Sequence, residues 1–137
     1  MPVSACVFDA YGTLFDVSAA AREAANEPAY PELAGTWQSL AELWRDKQLQ
    51  YTWLRAVADR HCDFWQVTCD GLDWALEAAR IDDPSLQERL LTLYRELEAY
   101  AEVRDMLIAL KAQGIRTGIL SNGSPDMLNA AVTSASI

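Results

Sequence analysis

The sequence is poor in the residues that build disulfide, zinc and histidine-relay sites. It has three cysteines in 137 residues, Cys6, Cys62 and Cys69, and none of them forms a C-x-x-C pair. Their odd number and their spacing argue against a disulfide framework. His61 is the one histidine of the sequence, so neither a zinc site nor a relay in which histidine activates a nucleophile has support.

Positive charge and long apolar runs are also scarce. The 11 Lys and Arg residues face 20 Asp and Glu residues, a net charge of −9, and no basic cluster suits nucleic acid. No apolar stretch is long enough to cross a bilayer. Asp9 interrupts the N-terminal apolar run, and no basic segment precedes it, unlike a secretory signal. We therefore predict a cytoplasmic protein without nucleic-acid or membrane partners, in which a local cation would have to hold any anionic substrate.

What the sequence does have is a core-forming composition and a regular pattern of apolar residues. Hydrophobic residues make up 51% of the chain and charged residues 23%, which indicates a globular and not a disordered protein. The apolar run Ala5–Phe8 predicts a buried strand of a parallel sheet at Ser4–Phe8, and the segment Arg116–Leu120, which follows Gly114, predicts a second parallel strand. Helical spacing and cap-plus-proline signals predict the helices between and after them. These helices run from Trp37 to about His61, from Leu72 to Arg80, from Pro84 through Leu97, from Val103 to Gly114, and onward from Pro125.

This order of elements predicts two parts. Residues 1–16 and 99–137 would form a small α/β core, and residues 17–98 a helical insert placed after the first strand. Two parallel strands do not make an independently stable sheet, because such sheets need further strands and cover on both faces. We therefore expect these residues to be the front portion of a larger domain, or to receive strands from another chain.

The most informative motif follows the first strand. Asp9 stands where open α/β sheets carry their chemistry, at the carboxyl end of a strand. Gly12 allows the sharp turn that brings backbone close to a ligand. An aspartate in this place is either a nucleophile or a residue that merely caps a turn, and for an arbitrary sequence the second interpretation would be preferred.

Residues 9–16, Asp-Ala-Tyr-Gly-Thr-Leu-Phe-Asp, resemble the first motif of the haloacid dehalogenase superfamily, Asp-x-x-x-Thr-Leu after a buried strand. The resemblance makes Asp9 the nucleophile and Thr13 the hydroxyl that hydrogen-bonds it. Phosphatase members carry a second aspartate where this chain has Tyr11. Because the reference pKa of tyrosine is about 10, Tyr11 cannot protonate a leaving group near neutral pH. A departing halide needs no proton, so the motif looks like that of the (S)-2-haloacid dehalogenase branch.

Two further segments match the same family, although each also has an ordinary structural interpretation. Ser121-Asn122-Gly123 would simply turn the chain between strand and helix, but it resembles the second motif. The resemblance then implies that Ser121 and backbone N–H groups near Ala10 and Tyr11 bind the substrate carboxylate. It implies that Asn122 helps to hold the substrate and the departing halide.

The third match lies on the long helix that begins at Trp37. Arg45 would ordinarily be a solvent-facing arginine, yet this helix closely resembles the dehalogenase cap helix, where the matching arginine cradles the halide. Leu49 and Phe64 match residues that line the apolar substrate pocket, with core packing as the competing interpretation. Asp46 departs from the glutamine expected beside that arginine.

The resemblance as a whole implies a Rossmann-like core, incomplete in this chain, with an inserted helical cap. It implies a homodimer that uses a small halogenated carboxylic acid as substrate and needs no metal and no cofactor. The family's third-motif lysine has no counterpart, because Lys47 and Lys111 lie in the wrong segments. If these 137 residues are all there is, we expect little turnover. Two alternatives stay open, a phosphatase of the same superfamily and a non-catalytic module that dimerises through its sheet edge.

Overall fold

The computed structural model describes residues 3–137, which form two strands, six α-helices and one short 3-10 helix. In chain order these elements are β1 (Ala5–Phe8), α1 (Ala19–Ala25), the 3-10 helix (Pro31–Leu33), α2 (Trp37–Val57), α3 (Phe64–Ala79), α4 (Pro84–Arg95), α5 (Val103–Ala112), β2 (Arg116–Ile119) and α6 (Pro125–Ala135). The chain divides into two compact units. We call them the α/β unit, Met1–Asp16 with Glu96–Ile137, and the helical unit, Val17–Arg95. The sequence prediction places the second boundary slightly later, between residues 98 and 99.

The α/β unit is built on the pair of parallel strands that the sequence predicts. β1 and β2 pair in register from Ala5 opposite Arg116 to Phe8 opposite Ile119. The Leu120 N–H extends the ladder beyond the strands by donating to the Phe8 carbonyl at 2.9 Å. Both strands therefore end at the same edge, which places the residues that follow them side by side.

The prediction that β1 is buried is wrong. Val7 in β1 is 64% exposed and Leu120, just after β2, is 76% exposed, while Cys6 is only partly covered. In the described part of the chain the sheet has only these two strands. Each strand therefore has a single neighbour and much of the sheet surface has no cover, although parallel strands are normally buried on both faces.

The chain leaves the α/β unit and returns to it at one place. The Asp16 N–H donates to the Glu98 carbonyl at 2.9 Å, and the Tyr100 N–H donates to the Leu14 carbonyl at 3.0 Å. These two bonds join the exit segment after β1 to the entry segment before α5. The helical unit is thus an insertion whose two ends are held together by backbone hydrogen bonds.

The helical unit packs around the face of α2 that the periodicity predicts. Leu40, Trp44 and Gln48 are buried along one side of this helix. Gly71 of α3 lies against it, since a Cβ atom at position 71 would stand 3.3 Å from the backbone nitrogen of Gln48. The absence of a side chain at position 71 therefore allows the two helices to approach closely. The leucine face of α4 is buried as expected, with Leu86, Leu90, Leu93 and Tyr94 inside.

Several helix boundaries differ from the prediction, and α4 ends at Arg95 instead of Leu97. α3 begins at Phe64 instead of Leu72, because the Asp63 carboxylate caps it by accepting the Trp65 N–H at 2.7 Å. α2 ends at Val57 instead of near His61, and Asp59 follows with φ of 55°. A left-handed residue cannot continue an α-helix, so the chain turns there.

Not every tryptophan packs into the interior. Trp44 is 3% exposed, but Trp53 on the same helix is 62% exposed. The two lie nine positions apart, which places them on different sides of α2. No helix within residues 3–137 is both long and apolar enough to cross a bilayer.

Candidate active site

The two strand ends of the α/β unit bring the first and second motifs together. Asp9 directly follows β1, and Ser121 follows Leu120, whose N–H is bonded to the last carbonyl of β1. The Asp9 side chain is exposed and that of Ser121 is partly buried. A carboxylate and a hydroxyl therefore stand at one edge of the sheet, where parallel α/β sheets bind their ligands.

The turn after Asp9 is tied to the Ala10 carbonyl. That carbonyl accepts the N–H groups of Thr13 at 3.2 Å, Leu14 at 2.8 Å and Phe15 at 3.0 Å. Gly12 has φ of 87°, a conformation that side-chain-bearing residues rarely adopt. Three bonds to one acceptor hold the segment in a fixed loop, which defines the position of Asp9 at its start. Thr13 is exposed on this loop, and its pairing with Asp9 stays a prediction.

Tyr11 lies directly against the second motif. The residue is 3% exposed, and a Cβ atom added to Gly123 would stand 2.7 Å from the Tyr11 ring carbon Cε2. The centroid of the Tyr11 ring is also 6.1 Å from that of Phe15. The position that would hold a second carboxylate in a phosphatase is thus occupied by a packed aromatic ring.

The second motif is a turn in which the Ser121 hydroxyl can donate a hydrogen bond to an acceptor. The Gly123 N–H donates to the Ser121 hydroxyl oxygen at 3.2 Å. Since that oxygen accepts a bond here, its own proton can be donated, for example to a carboxylate. Asn122 is exposed beside it. The turn ends where Ser124 caps α6 by accepting the Met127 N–H at 3.4 Å, with Pro125 in the first helical turn.

The remaining predicted site residues belong to the helical unit. Arg45 on α2 is partly buried and donates from Nη1 to the Gln48 side-chain oxygen at 2.9 Å. Leu49, on the same helix, is partly buried, and Asp46 is exposed. Phe64 begins α3 and is buried, and its carbonyl accepts the Thr68 hydroxyl at 2.7 Å. Arg45 is thus anchored by a neutral amide of its own helix.

The structure therefore groups the predicted residues by unit. The α/β unit brings together those of the first two motifs, Asp9, Ala10, Tyr11, Thr13, Ser121 and Asn122. The helical unit holds Arg45, Leu49 and Phe64. Within residues 3–137, no three His, Cys, Asp or Glu side chains are grouped as ligands of a metal ion.

The position of Gln48 was predicted correctly from the sequence, but its hydrogen-bonding role was missed. The periodicity of α2 puts it on the buried face, but gives it no role beyond packing. The missed signal is its polarity, because a buried amide needs partners for its oxygen and its nitrogen. Its contact with Arg45 shows that one of those partners is a predicted site residue.

Comparison with known proteins shows which family the sequence matches. The family model of haloacid dehalogenase-like hydrolases matches residues 3–136. The (S)-2-haloacid dehalogenase 1 of Pseudomonas sp. (strain CBS-3) is 44% identical over 137 residues, which are 99% of this chain and 58% of that protein. The chain thus spans less than two thirds of this relative's length.

Solved structures give the same result. The crystal structure of a dehalogenase is 39% identical with a TM-score of 0.89, and the match covers 98% of this chain and 57% of that one. The L-2-haloacid dehalogenase from Xanthobacter autotrophicus, with chloropropionic acid covalently bound, is 39% identical with a TM-score of 0.83. That match covers 98% of this chain and 53% of the other.

Proposed function

Because the chain belongs to the haloacid dehalogenase-like hydrolase family, we propose that it takes part in hydrolytic dehalogenation. The substrates would be short (S)-2-haloalkanoates and the products (R)-2-hydroxyalkanoates. The observation that carries this proposal is Tyr11, which packs against Gly123 two residues after the strand-end Asp9. A site with a carboxylate nucleophile and no neighbouring acid suits a leaving group that departs without a proton.

The reaction has two steps. An oxygen of the ionised Asp9 carboxylate attacks the carbon that bears the halogen. The carbon–halogen bond breaks, its electron pair leaves with the halide, and an ester joins Asp9 to the inverted carbon. Water then adds to the Asp9 carbonyl carbon and the ester bond breaks. The hydroxy acid leaves, and the Asp9 carboxylate returns with release of one proton.

The other predicted residues would bind charge and apolar surface. Arg45 and Asn122 would stabilise the departing halide, where negative charge develops. Ser121, whose hydroxyl proton can be donated, would bind the substrate carboxylate together with backbone N–H groups near Ala10 and Tyr11. The Thr13 hydroxyl would hold the nucleophile.

The helical unit would serve as a cap over the substrate. Leu49 and Phe64 would line the apolar part of the pocket around the substrate's alkyl group. We extend the proposal to a homodimer, as the resemblance implies, which size-exclusion chromatography with light scattering would test. We also propose a cytoplasmic location, which the lack of a disulfide framework favours.

The phosphatase alternative is less well supported. It would need an acid to protonate the alkoxide that leaves, and the residue two positions after Asp9 is a buried tyrosine. Magnesium-dependent hydrolysis of p-nitrophenyl phosphate would nevertheless favour it over the dehalogenase.

The test is chloride release from (S)-2-chloropropionate by the protein at its natural length. We expect Asp9→Asn to lower the rate at least about a thousandfold, as loss of a nucleophile does. Asp105→Asn makes the same change on an exposed residue of α5 and should leave the rate unaltered. Turnover in ¹⁸O-labelled water should place ¹⁸O in the Asp9 peptide, detected by mass spectrometry. Chloride release that survives Asp9→Asn, or label found only in the product, would contradict the mechanism.

A further inference from the structure

Three buried side chains from three helices form one hydrogen-bonded network behind Arg45. Gln48 on α2 is 1% exposed, Thr68 on α3 is fully buried, and Tyr94 on α4 is 3% exposed. We call these three residues the buried network. The Gln48 amide nitrogen donates to the Thr68 hydroxyl at 2.8 Å and to the Tyr94 hydroxyl at 3.1 Å. Its oxygen accepts from Arg45 Nη1 at 2.9 Å.

The chemistry of the neighbours determines which way the Gln48 amide points. The Thr68 hydroxyl gives its proton to the Phe64 carbonyl at 2.7 Å, so towards Gln48 it can only accept. It must therefore face the amide nitrogen. A guanidinium has donors and no acceptor, so Arg45 must face the amide oxygen. Both constraints select the same orientation, and reversing the amide would break both bonds.

Tyr94 closes the network on its third side. Its hydroxyl lies 3.3 Å from the Gln48 oxygen, to which it can donate. Burial raises the pKa of Tyr94, while the hydrogen bond from Gln48, the charge of Arg45 and a side-chain hydrogen bond with Arg45 act in the opposite direction. The ring packs on Trp44 with centroids 4.9 Å apart, which fixes the hydroxyl beside the amide.

We propose that Gln48 is a positioning residue, which holds the Arg45 guanidinium in one orientation without neutralising its charge. The inference rests on the proposed function, in which Arg45 receives the halide. A carboxylate at position 48 would also orient the guanidinium, but would offset its charge by a close ion pair. A neutral amide orients the guanidinium and leaves its positive charge without an opposing one. The network also connects Arg45 to the backbone of Phe64, so two predicted substrate contacts share one rigid support.

The first test observes the guanidinium directly and needs no turnover. Arginine side-chain ¹⁵N–¹H NMR reports whether rotation of the guanidinium is restricted, and an Arg45→Lys variant assigns the signal. We expect separate Nη signals for Arg45 in the wild type and one averaged signal in Gln48→Met, which keeps the length and removes the acceptor. Gln50→Met makes the same change at an exposed position of α2 and should behave as wild type. Restricted rotation in Gln48→Met would overturn the proposal.

The second test measures what that orientation contributes to the reaction. In the protein at its natural length, Gln48→Met should lower kcat/KM for (S)-2-chloropropionate by roughly ten- to a hundredfold, the scale of a hydrogen bond to a charged group. Gln50→Met should not change it. Gln48→Glu should keep the guanidinium ordered in the NMR spectrum and still lower kcat/KM, because it adds the opposing charge. Unchanged kcat/KM in either Gln48 variant would overturn the proposed role of the neutral amide.

A third variant guards against a Gln48→Met protein that does not fold. Thr68→Val removes the hydroxyl that orients the amide and keeps the side-chain shape. It should increase Arg45 rotation and lower kcat/KM in the same direction, and wild-type behaviour of both would count against the network. If the wild type releases no chloride, the proposed function fails, while the NMR comparison still decides whether Gln48 orients Arg45.

Discussion

Substitution of Gly123 by alanine is the sharpest test of the contact between the two strand-end motifs. The added Cβ atom would stand 2.7 Å from Tyr11 Cε2 and 3.2 Å from the Leu128 side chain. Carbon atoms do not approach so closely, so something must move. The Tyr11 ring is buried and packs beside Phe15, which leaves it little room to withdraw.

The magnitude follows from two opposing effects. Forcing an extra methyl group into packed surroundings costs about 1–3 kcal/mol. Alanine also restricts the unfolded chain, which favours folding by about 0.4–1 kcal/mol. The net expectation is a loss of about 1–2 kcal/mol, which lowers the urea midpoint by roughly 0.5–1 M for a slope near 2 kcal/mol per M.

The assay must report on the α/β unit, because all five tryptophans lie in the helical unit. Amide hydrogen exchange of peptides that contain β1 and β2 should speed up in Gly123→Ala. Urea unfolding followed by circular dichroism should give the loss of stability. Gly118→Ala is the matched control, since a Cβ at this strand position would meet nothing within 4 Å. If Gly123→Ala were as stable as Gly118→Ala, the close contact between Tyr11 and Gly123 would be refuted.

Two further predictions concern the helical unit. Leu72→Ala should lower the free energy of unfolding by about 2–5 kcal/mol, because Leu72 is fully buried. Leu54→Ala, at a 65% exposed position, should change it little. Equal losses in urea unfolding would contradict the assigned core. Asp83 accepts the N–H groups of Ser85 at 2.9 Å and Leu86 at 3.1 Å, and these bonds hold its pKa below the ordinary 3.8. Its charge therefore stabilises the fold above about pH 3.8, and this contribution disappears as the pH falls through the lowered folded pKa. Asp83→Asn should accordingly have a lower free energy of unfolding than the wild type at pH 6, and this difference should disappear in acid. A constant difference from pH 6 to pH 2.5 would disprove the role of the Asp83 charge.

The accuracy of the sequence prediction depended on how local each signal is. The starts of α4 and α6 were predicted because a capping residue and a proline stand next to each other, at Asp83-Pro84 and Ser124-Pro125. The buried face of α2 was predicted because a 3.6-residue period repeats over many turns. The start of α3 was missed because Asp63 is a single capping residue without a neighbouring proline.

The candidate site divides in the same way. The sequence placed Asp9 and Ser121 at strand ends, and two parallel strands of equal length then put both at one edge. The contact of Tyr11 with Gly123 joins residues 112 positions apart, and no local pattern encodes such a distance. Gln48 was assigned to the buried face, but its amide orientation depends on partners contributed by α3 and α4.

By itself, then, the sequence determined most of the elements, their order and the chemical types at the strand ends, because periodicity, caps and motifs act between residues a few positions apart. It did not predict α1 or the 3-10 helix. Only the tertiary structure decided which surfaces are covered. It left β1 exposed in spite of its apolar character, since cover is a property of neighbouring elements. It also directed the Arg45 guanidinium through Gln48, because a hydrogen bond between helices depends on how those helices pack.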